Sequence, residues 1–408
     1  MKPDDYTMEL GPMGPIGEGA ALMLRVNRNC PWNQCLFCSV YKQSRFSARS
    51  VEEIKGDIDT ARRIGDLLEG KSREMGLNGW IQQEVIEKVI REQPEIFGDY
   101  PTRVTQEQRR ALRCLSNVAG WYMYGARRVF LQDANALFLK AGDLVEVLRY
   151  LKGAFPTVDT VTCYARAKTC AQRTPEELKE LHEAGLSWCL VGIESGCDRV
   201  LDSMKKGATK GDHISGGQKL MASGIKMAAF VMPGLAGGDR EMSARHILDT
   251  LDVLNEIRPT EIRVRSLAVL ESAPLRGKWE AGEFLPPSEE QMVDELKGLI
   301  EGVNFDCTFE TLQMTNLFTF KGQLPARRNT FLDAISDYQA LSPLERARYL
   351  LNRYIHGGYL DFVQSWDCPD PTLQKKIGEA EKSLEEESPE ALGKVERVLW
   401  AVKSKGIP

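Results

Sequence analysis

The sequence predicts an α/β fold built on a parallel sheet. Three observations predict it. Six short, near-continuously apolar segments alternate with helical ones, as in a sheet buried on both faces. Several helices carry their own start and stop signals. Polar residues gather at the exits of the apolar segments, where open and closed parallel sheets both place their chemistry. A barrel or partial barrel and an open doubly wound sheet both satisfy this pattern.

The elements run in order. Residues 1–19, rich in Pro and Gly, read as an irregular leader. "AALMLRVN" (20–27) is the first strand. The segment from Ser50 is a helix, with Ser50 capping and Glu53 completing a capping box. Residues 71–128 break the rhythm with two helical stretches, "IQQEVIEKVIREQ" and "TQEQRRALRCLSNVAGWYMYG", and read as a helical insertion. "RVFLQDANAL" is a strand with its exit, and "GDLVEVLRYLKGAF" is a helix with Leu144, Leu148 and Leu151 on one face. "VDTVTCYARA" is a strand. In the helix that follows, Thr174 caps, Pro175 takes the first position, Glu177 closes the box and Gly185 ends the turn. "WCLVGIES", "IKMAAFVMPGL" and "TEIRVRSLAVL" are the last three strands, separated by helices over 212–224 and 240–259. Residues 284–408 read as a mostly helical C-terminal cap, with "SPLERARYLLNRYI" its clearest helix. The expected organisation is therefore a leader (1–19), a catalytic unit (20–283) with its insertion (about 71–128), and the cap (284–408).

Composition narrows the class. The 408 residues are 42% hydrophobic and 27% charged, with a net charge of -5, as in an ordinary globular enzyme. An acidic chain lacks the basic face of a typical nucleic-acid binder. No apolar run approaches the roughly 20 residues that span a bilayer, and no signal peptide opens the chain. The expected location is the cytoplasm, where the ten cysteines stay reduced.

"NRNCPWNQCLFC" places Cys30, Cys35 and Cys38 within nine residues, in the loop after the first strand. Thiolates select zinc, copper(I) or iron–sulfur clusters. Structural zinc takes four ligands, and so does a cluster closed by protein. Three cysteines leave one metal position open for a substrate or cofactor. The remaining cysteines read as small buried residues or isolated positions. The four histidines show no ligand spacing.

Cys-x4-Cys-x2-Cys with an aromatic before the last cysteine, after the first strand of a six-fold β/α chain, resembles the radical S-adenosylmethionine (radical SAM) superfamily. The usual spacing there is three then two, so this loop departs by one residue. "VFLQDANAL", "YARAKT", "VGIESGCDRVLDSMKKG" and "FVMPGLAGG" resemble successive strand ends of the Elp3/MiaB/HemN-like branch, over about residues 20–275. The resemblance implies a partial (β/α)6 TIM-like barrel. It also implies a [4Fe-4S] cluster held by Cys30, Cys35 and Cys38, and S-adenosylmethionine at its open iron. Reductive cleavage then yields a 5′-deoxyadenosyl radical that takes hydrogen from substrate. Cluster potentials reach about -700 mV, which implies a dedicated electron donor such as flavodoxin or ferredoxin.

Residue by residue, the resemblance implies these contacts. Gln132 and Asp133 stand where relatives carry Gly-Gly-Glu, with Asp133 the acceptor for the methionyl ammonium. Arg166 offers a forked donor to a carboxylate. Glu194 matches a ribose-binding position, with Ser195 assisting it or capping the next turn. Lys206, or Lys205, approaches the cofactor carboxylate. Met232, Pro233 and Gly234 form a turn whose glycine permits close approach. Leu267 and Val269 pack the adenine or the core. The absence of a cobalamin or RNA-binding module, with the acidic charge, points to a small-molecule substrate over nucleic acid. Thr315, Asn316, Arg327 and Arg328 are the expected substrate contacts. Two rivals remain open: transfer of a 3-amino-3-carboxypropyl group by the same cluster, and a non-enzymatic zinc-binding interaction protein.

Overall fold

The computed structural model describes residues 2–12, 14, 19–99, 101, 103–364 and 370–406. The strands are β1 (Leu22–Arg25), β2 (Asn27–Arg28), β3 (Ser47–Ala48), β4 (Arg128–Gln132), β5 (Thr160–Ala165), β6 (Leu186–Glu194), β7 (Lys226–Val231), β8 (Glu261–Val264), β9 (Cys307–Glu310) and β10 (Lys321–Leu324). All six strands expected from the sequence are present, each followed by at least one helix, in a mixed α/β fold with a mainly parallel sheet.

The chain forms two compact units. The first comprises residues 1–31, 43–191 and 219–227. Here β1, β4, β5 and β6 pair in parallel, with Leu22 beside Val129, Val129 beside Val161 and Cys163 beside Cys189. Their central residues are buried and apolar, the pattern of a sheet covered on both faces. The helix Val51–Glu74 starts as the sequence predicts: Ser50 Oγ accepts from Glu53 N, and Glu53 Oε2 accepts from Ser50 N at 2.8 Å. It runs four residues into the expected insertion. That region holds the helices Gln83–Glu92 and Gln106–Met123, and a short helix, Pro94–Phe97, that the sequence reading left as a connection. A second unexpected helix, Ala167–Gln172, directly follows the third expected strand.

The second unit comprises residues 32–42, 192–218 and 228–408. Here β7, β8 and β9 pair in parallel, and β10 pairs antiparallel with β9. The region after residue 284 is mostly helical, as expected, and β9 and β10 add two strands that the sequence reading did not place. Both segments are only four residues long, and β10 ("KGQL") has almost no apolar pattern. Its pairing comes from backbone hydrogen bonds to β9 that periodicity does not reveal. The helix expected from "SPLERARYLLNRYI" spans Pro343–Leu351 behind a Ser342 cap and passes into a π-helical turn over Asn352–His356.

No helix among the described residues is long and apolar enough to cross a membrane.

Candidate functional site

The first unit brings the ends of β1 and β4 together. Asn27 is fully buried; its Oδ1 accepts from Asp133 N and its Nδ2 donates to Asn135 O at 2.7 Å. Asp133, the expected ammonium acceptor, is buried. Its Oδ2 accepts from Arg25 Nε and Nη2 (2.9 and 2.5 Å) and from Asn29 N (2.7 Å). Its Oδ1 is buried and has no hydrogen-bond partner among the described residues. A buried carboxylate oxygen left bare costs free energy. Gln132 Oε1 accepts from Gly11 N at 2.9 Å. A Cβ on Gly11 would lie 2.1 Å from Asp133 Oδ1, so only glycine fits against that oxygen.

The leader is thus part of this site. Glu9 binds Arg28 through Nε (2.7 Å) and Nη2 (2.7 Å), Arg25 Nη1 (3.0 Å) and Arg49 Nε (3.4 Å). Burial works to raise the Glu9 carboxyl, but the Arg28 hydrogen bonds and the charges of Arg49, Arg28 and Arg25 outweigh it and hold the group ionised. Neither Glu9 nor Arg25 was singled out from the sequence. Arg25 ends a strand that points into the site, a signal open to reading; Glu9 sits in a leader with no periodicity.

Arg166 precedes the helix Ala167–Gln172, and its backbone N donates to Asn135 Oδ1 at 3.2 Å. Asn135 Nδ2 donates in turn to Thr169 Oγ1 at 2.8 Å. One asparagine therefore sets the position from which Arg166 projects.

The second unit positions the other expected residues. Glu194 ends β6 at φ 64°, a left-handed conformation rare for a non-glycine residue. Its carboxylate pairs with Lys206 Nζ at 3.2 Å, and a Cβ on Gly192 would press on both groups (2.3 Å from Glu194 Oε1, 2.9 Å from Lys206 Nζ). Lys206 is only 8% exposed, with its ammonium 5.8 Å from the Phe37 ring centroid. It is the paired lysine, whereas Lys205 contributes its carbonyl oxygen to Trp32 Nε1 at 2.7 Å. Ser195 is fully buried: Oγ lies 2.7 Å from His246 Nδ1 and accepts from Cys197 N at 3.0 Å. Those are the bonds of a turn cap, the second of the two sequence expectations for Ser195.

The Met232–Gly234 turn is held from beneath. Gly234 has φ 87°, and its N donates to Glu295 Oε2 at 2.6 Å. Ser243 Oγ donates to Glu295 Oε1. His246 Nε2 faces Met232 O at 3.3 Å. Burial pushes Glu295 up to about 7, against the Ser243 and Gly234 hydrogen bonds, and burial pushes His246 down to about 4. Leu267 and Val269 belong to the apolar core that also contains Met232, Leu235 and Met292.

Glu295 gives the turn a pH signature. Its folded pKa, about 7, exceeds the ordinary 4.5. The unfolded chain therefore releases this proton first, and the folded state loses relative stability as pH rises from about 4.5 to about 7. Glu295→Gln removes that loss and keeps an acceptor for Gly234. Urea unfolding should show the variant gaining about 2 kcal/mol on wild type between pH 5 and pH 8. His246 Nε2 lies 3.8 Å from Glu295 Oε2, but burial holds its pKa near 4 and so keeps it largely neutral over this pH range.

The cysteine loop is divided along the sequence between the two units. Cys30 lies in the first; Cys35 and Cys38 lie in the second, where Cys38 N donates to Cys35 O at 3.4 Å. Leu36 N donates to Met204 O (3.0 Å), Leu36 O accepts from Leu275 N (2.9 Å), and Asn33 Nδ2 donates to Tyr41 O (2.5 Å). Cys30, Cys35 and Cys38 are each half-buried, while Cys114, Cys163, Cys170, Cys189, Cys197 and Cys307 are buried. Burial raises the thiols of Cys114 and Cys307 to about 11 and 12 and that of Cys170 higher still, which leaves them poor ligands. Cys368 lies outside the described residues. Among the described residues no three His, Cys, Asp or Glu side chains form a ready-made metal site.

The expected substrate contacts in 315–328 are corrected in part. Asn316 Oδ1 accepts from Ser266 N and Oγ, and its Nδ2 donates to Val264 O and Thr311 O. Arg328 donates to Ile300 O and Val303 O at the end of the helix Glu289–Gly302. Both side chains are consumed in holding backbone. Polar residues in a loop look alike in sequence whether they face ligand or carbonyl.

No family model matches the chain. It is 25% identical over 288 residues to the tRNA uridine(34) acetyltransferase of Methanocaldococcus jannaschii, covering 68% of this chain and 48% of that protein. It is 26% identical over 129 residues to the same-named protein of Methanocaldococcus infernus, covering 32% and 23%. The chain thus spans less than half the length of these curated relatives. Among solved structures, the Elp3 of Methanocaldococcus infernus matches with 19% identity and a TM-score of 0.36, covering 42% of this chain and 44% of that one. The cobalamin-dependent S-adenosylmethionine radical enzyme OxsB matches with 14% identity and a TM-score of 0.43, covering 94% and 54%.

Proposed function

We propose that this protein is a radical SAM enzyme in which Cys30, Cys35 and Cys38 hold a [4Fe-4S] cluster and the strand ends hold S-adenosylmethionine. The observation that carries the reading is the contrast among thiols: the loop cysteines are half-exposed while the other described cysteines are buried. When bound, the cluster supplies the electron that breaks the sulfonium and releases a 5′-deoxyadenosyl radical, which takes a hydrogen atom from substrate.

The chain's own residues bind and orient. Asp133 Oδ1, buried and without a hydrogen-bond partner among the described residues, accepts from the methionyl ammonium, while Arg25 holds the other oxygen of the carboxylate. Gly11 and Gln132 shape that pocket. Arg166 and Lys206 supply positive charge for the carboxylate. Glu194 accepts from the ribose hydroxyls, and the Met232-Pro233-Gly234 turn approaches the cofactor through its backbone. Ser195 acts beneath the turn. A flavodoxin or ferredoxin delivers the electron, and reduced thiols fit a cytoplasmic setting.

The substrate we propose is a small molecule, in keeping with the acidic chain. A second reading, a tRNA nucleoside, is favoured by the name shared by the two sequence relatives, tRNA uridine(34) acetyltransferase. Product analysis after anaerobic reconstitution with iron and sulfide tests the proposal. Under dithionite, mass spectrometry should find 5′-deoxyadenosine. Methylthioadenosine in its place would indicate 3-amino-3-carboxypropyl transfer, and neither product would contradict both cluster readings.

A further inference from the structure

In the first unit, the strand that returns from the cysteine loop carries a surface with no part in the cofactor contacts above. β3 runs antiparallel to β2, with Asn27 beside Ala48 and Arg28 beside Ser47. Phe46 therefore comes opposite Asn29, the residue before Cys30. Asn29 Nδ2 donates to Arg45 O at 2.5 Å and ties the two segments together. The half-buried Phe46 ring meets Phe138 edge-on, 4.8 Å between centroids and 77° between planes. Phe138 lies in the short turn after β4 and is 49% exposed. A single exposed apolar side chain is ordinary. Two rings in contact, level with a proposed cluster ligand, form an apolar patch.

The segments that carry and flank these rings hold only positive charge. Residues 43–48, 134–140 and 166–169 contain no Asp or Glu, in a chain whose net charge is -5. They carry Arg45, Lys140 and Lys168, all exposed, beside Arg166. The exit of β5 adjoins the turn after β4 through Asn135, whose Nδ2 donates to Thr169 Oγ1 at 2.8 Å. Arg173 fastens the same turn by donating to Leu137 O and Leu139 O. Arg45, Lys140 and Lys168 enter no ion pair among the described residues. On the hairpin side, the carboxylates of Glu9 and Glu53 are both paired with Arg28. The charge of the patch is therefore open to an acidic partner.

We propose that this surface docks the electron donor, a small acidic carrier of the flavodoxin type, with Phe46 and Phe138 as its apolar centre and Arg45, Lys140 and Lys168 as its basic rim. The inference rests on the cluster reading above and adds where the reductant lands. One electron leaves the anionic flavin hydroquinone, which becomes the neutral semiquinone, and takes the cluster from its oxidised to its reduced state. No proton moves and no bond is made or broken. Redox encounters bury less than about 1,200 Å², so a patch of two rings and three cations suffices. The same patch suits RNA poorly, because RNA affinity is assembled from many phosphate contacts.

The experiment compares two reductants on the reconstituted full chain. Wild type, the double variant Arg45→Glu with Lys140→Glu, and Phe138→Ala each receive S-adenosylmethionine and either flavodoxin hydroquinone or dithionite. The 5′-deoxyadenosine formed is measured, and calorimetry on the same proteins reads the affinity for oxidised flavodoxin. Both variants are expected to lose about tenfold in flavodoxin affinity and in flavodoxin-driven cleavage, and to keep the dithionite-driven rate. Added salt should weaken the wild-type complex more than that of the charge-reversed variant. The substituted side chains are exposed, so both variants should fold, which circular dichroism checks. No flavodoxin binding to wild type, unchanged affinity in both variants, equal loss with the two reductants, or binding of bulk tRNA in place of flavodoxin would overturn the proposal. Failure of wild type to cleave under dithionite would contradict the cluster reading instead, and the calorimetry would still decide the docking surface.

Discussion

Replacing any one of Cys30, Cys35 and Cys38 with alanine is expected to remove the iron–sulfur chromophore and reduce 5′-deoxyadenosine formation to background. The same replacement at buried Cys163 should leave both intact. A cluster ligated by three thiolates has no spare ligand, so loss of one releases iron or leaves a labile remnant. The folded structure should survive, because these side chains are half-exposed and belong to a loop. Iron and sulfide analysis of anaerobically reconstituted variants, with circular dichroism as the control, checks this. Retained chromophore in all three would remove the loop from the metal site. Full loss in Cys163→Ala as well would point to a general folding defect.

The second large effect concerns stability. Lys403, on the helix Ala391–Ser404, is fully buried and pairs with Glu289, itself 3% exposed, at the start of the helix Glu289–Gly302. Tyr354 Oη donates to Thr315 O at 3.0 Å and lies 3.4 Å from Glu289 Oε2. The Lys403 ammonium sits 4.3 Å from the Tyr354 ring centroid. Burial pulls the lysine pKa down, and the charge and hydrogen bond of Glu289 oppose that pull. Removing one partner strands the other charge in an apolar setting. Glu289→Ala is expected to cost about 3–5 kcal/mol, and Glu289→Leu combined with Lys403→Met to recover most of it. Denaturant unfolding of Glu289→Leu, Lys403→Met and their combination measures this as a double-mutant cycle, with Glu289→Ala alongside. A single variant within 1 kcal/mol of wild type, on the order of an exposed pair, would contradict the burial assigned here.

Much of the strand order was open to inspection in the sequence, and the reasons are local. Ser50 with Glu53, and Thr174 with Pro175 and Glu177, announce their helices through backbone donors that need partners. The six apolar strands are legible because burial on both faces demands continuous hydrophobicity. β10 escaped notice because an edge strand needs little apolar pattern. The site was legible at its nodes and not in its connections. Asp133, Glu194 and Gly234 are marked by their places at strand exits. Their partners Arg25, Lys206 and Glu295 lie 108, 12 and 61 residues away in sequence. Only the fold brings such pairs together, and a single sequence holds no record of distance. Glu9 shows the same limit: a leader without periodicity supplies the carboxylate that binds three arginines. Ser195 shows another, since a serine at a strand exit serves a ligand or a turn with equal ease.

The central claim is that the loop holds a cluster with one iron left for S-adenosylmethionine. Mössbauer spectroscopy of ⁵⁷Fe-reconstituted protein, before and after adding S-adenosylmethionine, tests it most directly. The claim predicts a [4Fe-4S] spectrum in which a single iron site shifts on addition while the other three hold. Zinc in place of iron, or four iron sites indifferent to S-adenosylmethionine, would contradict it.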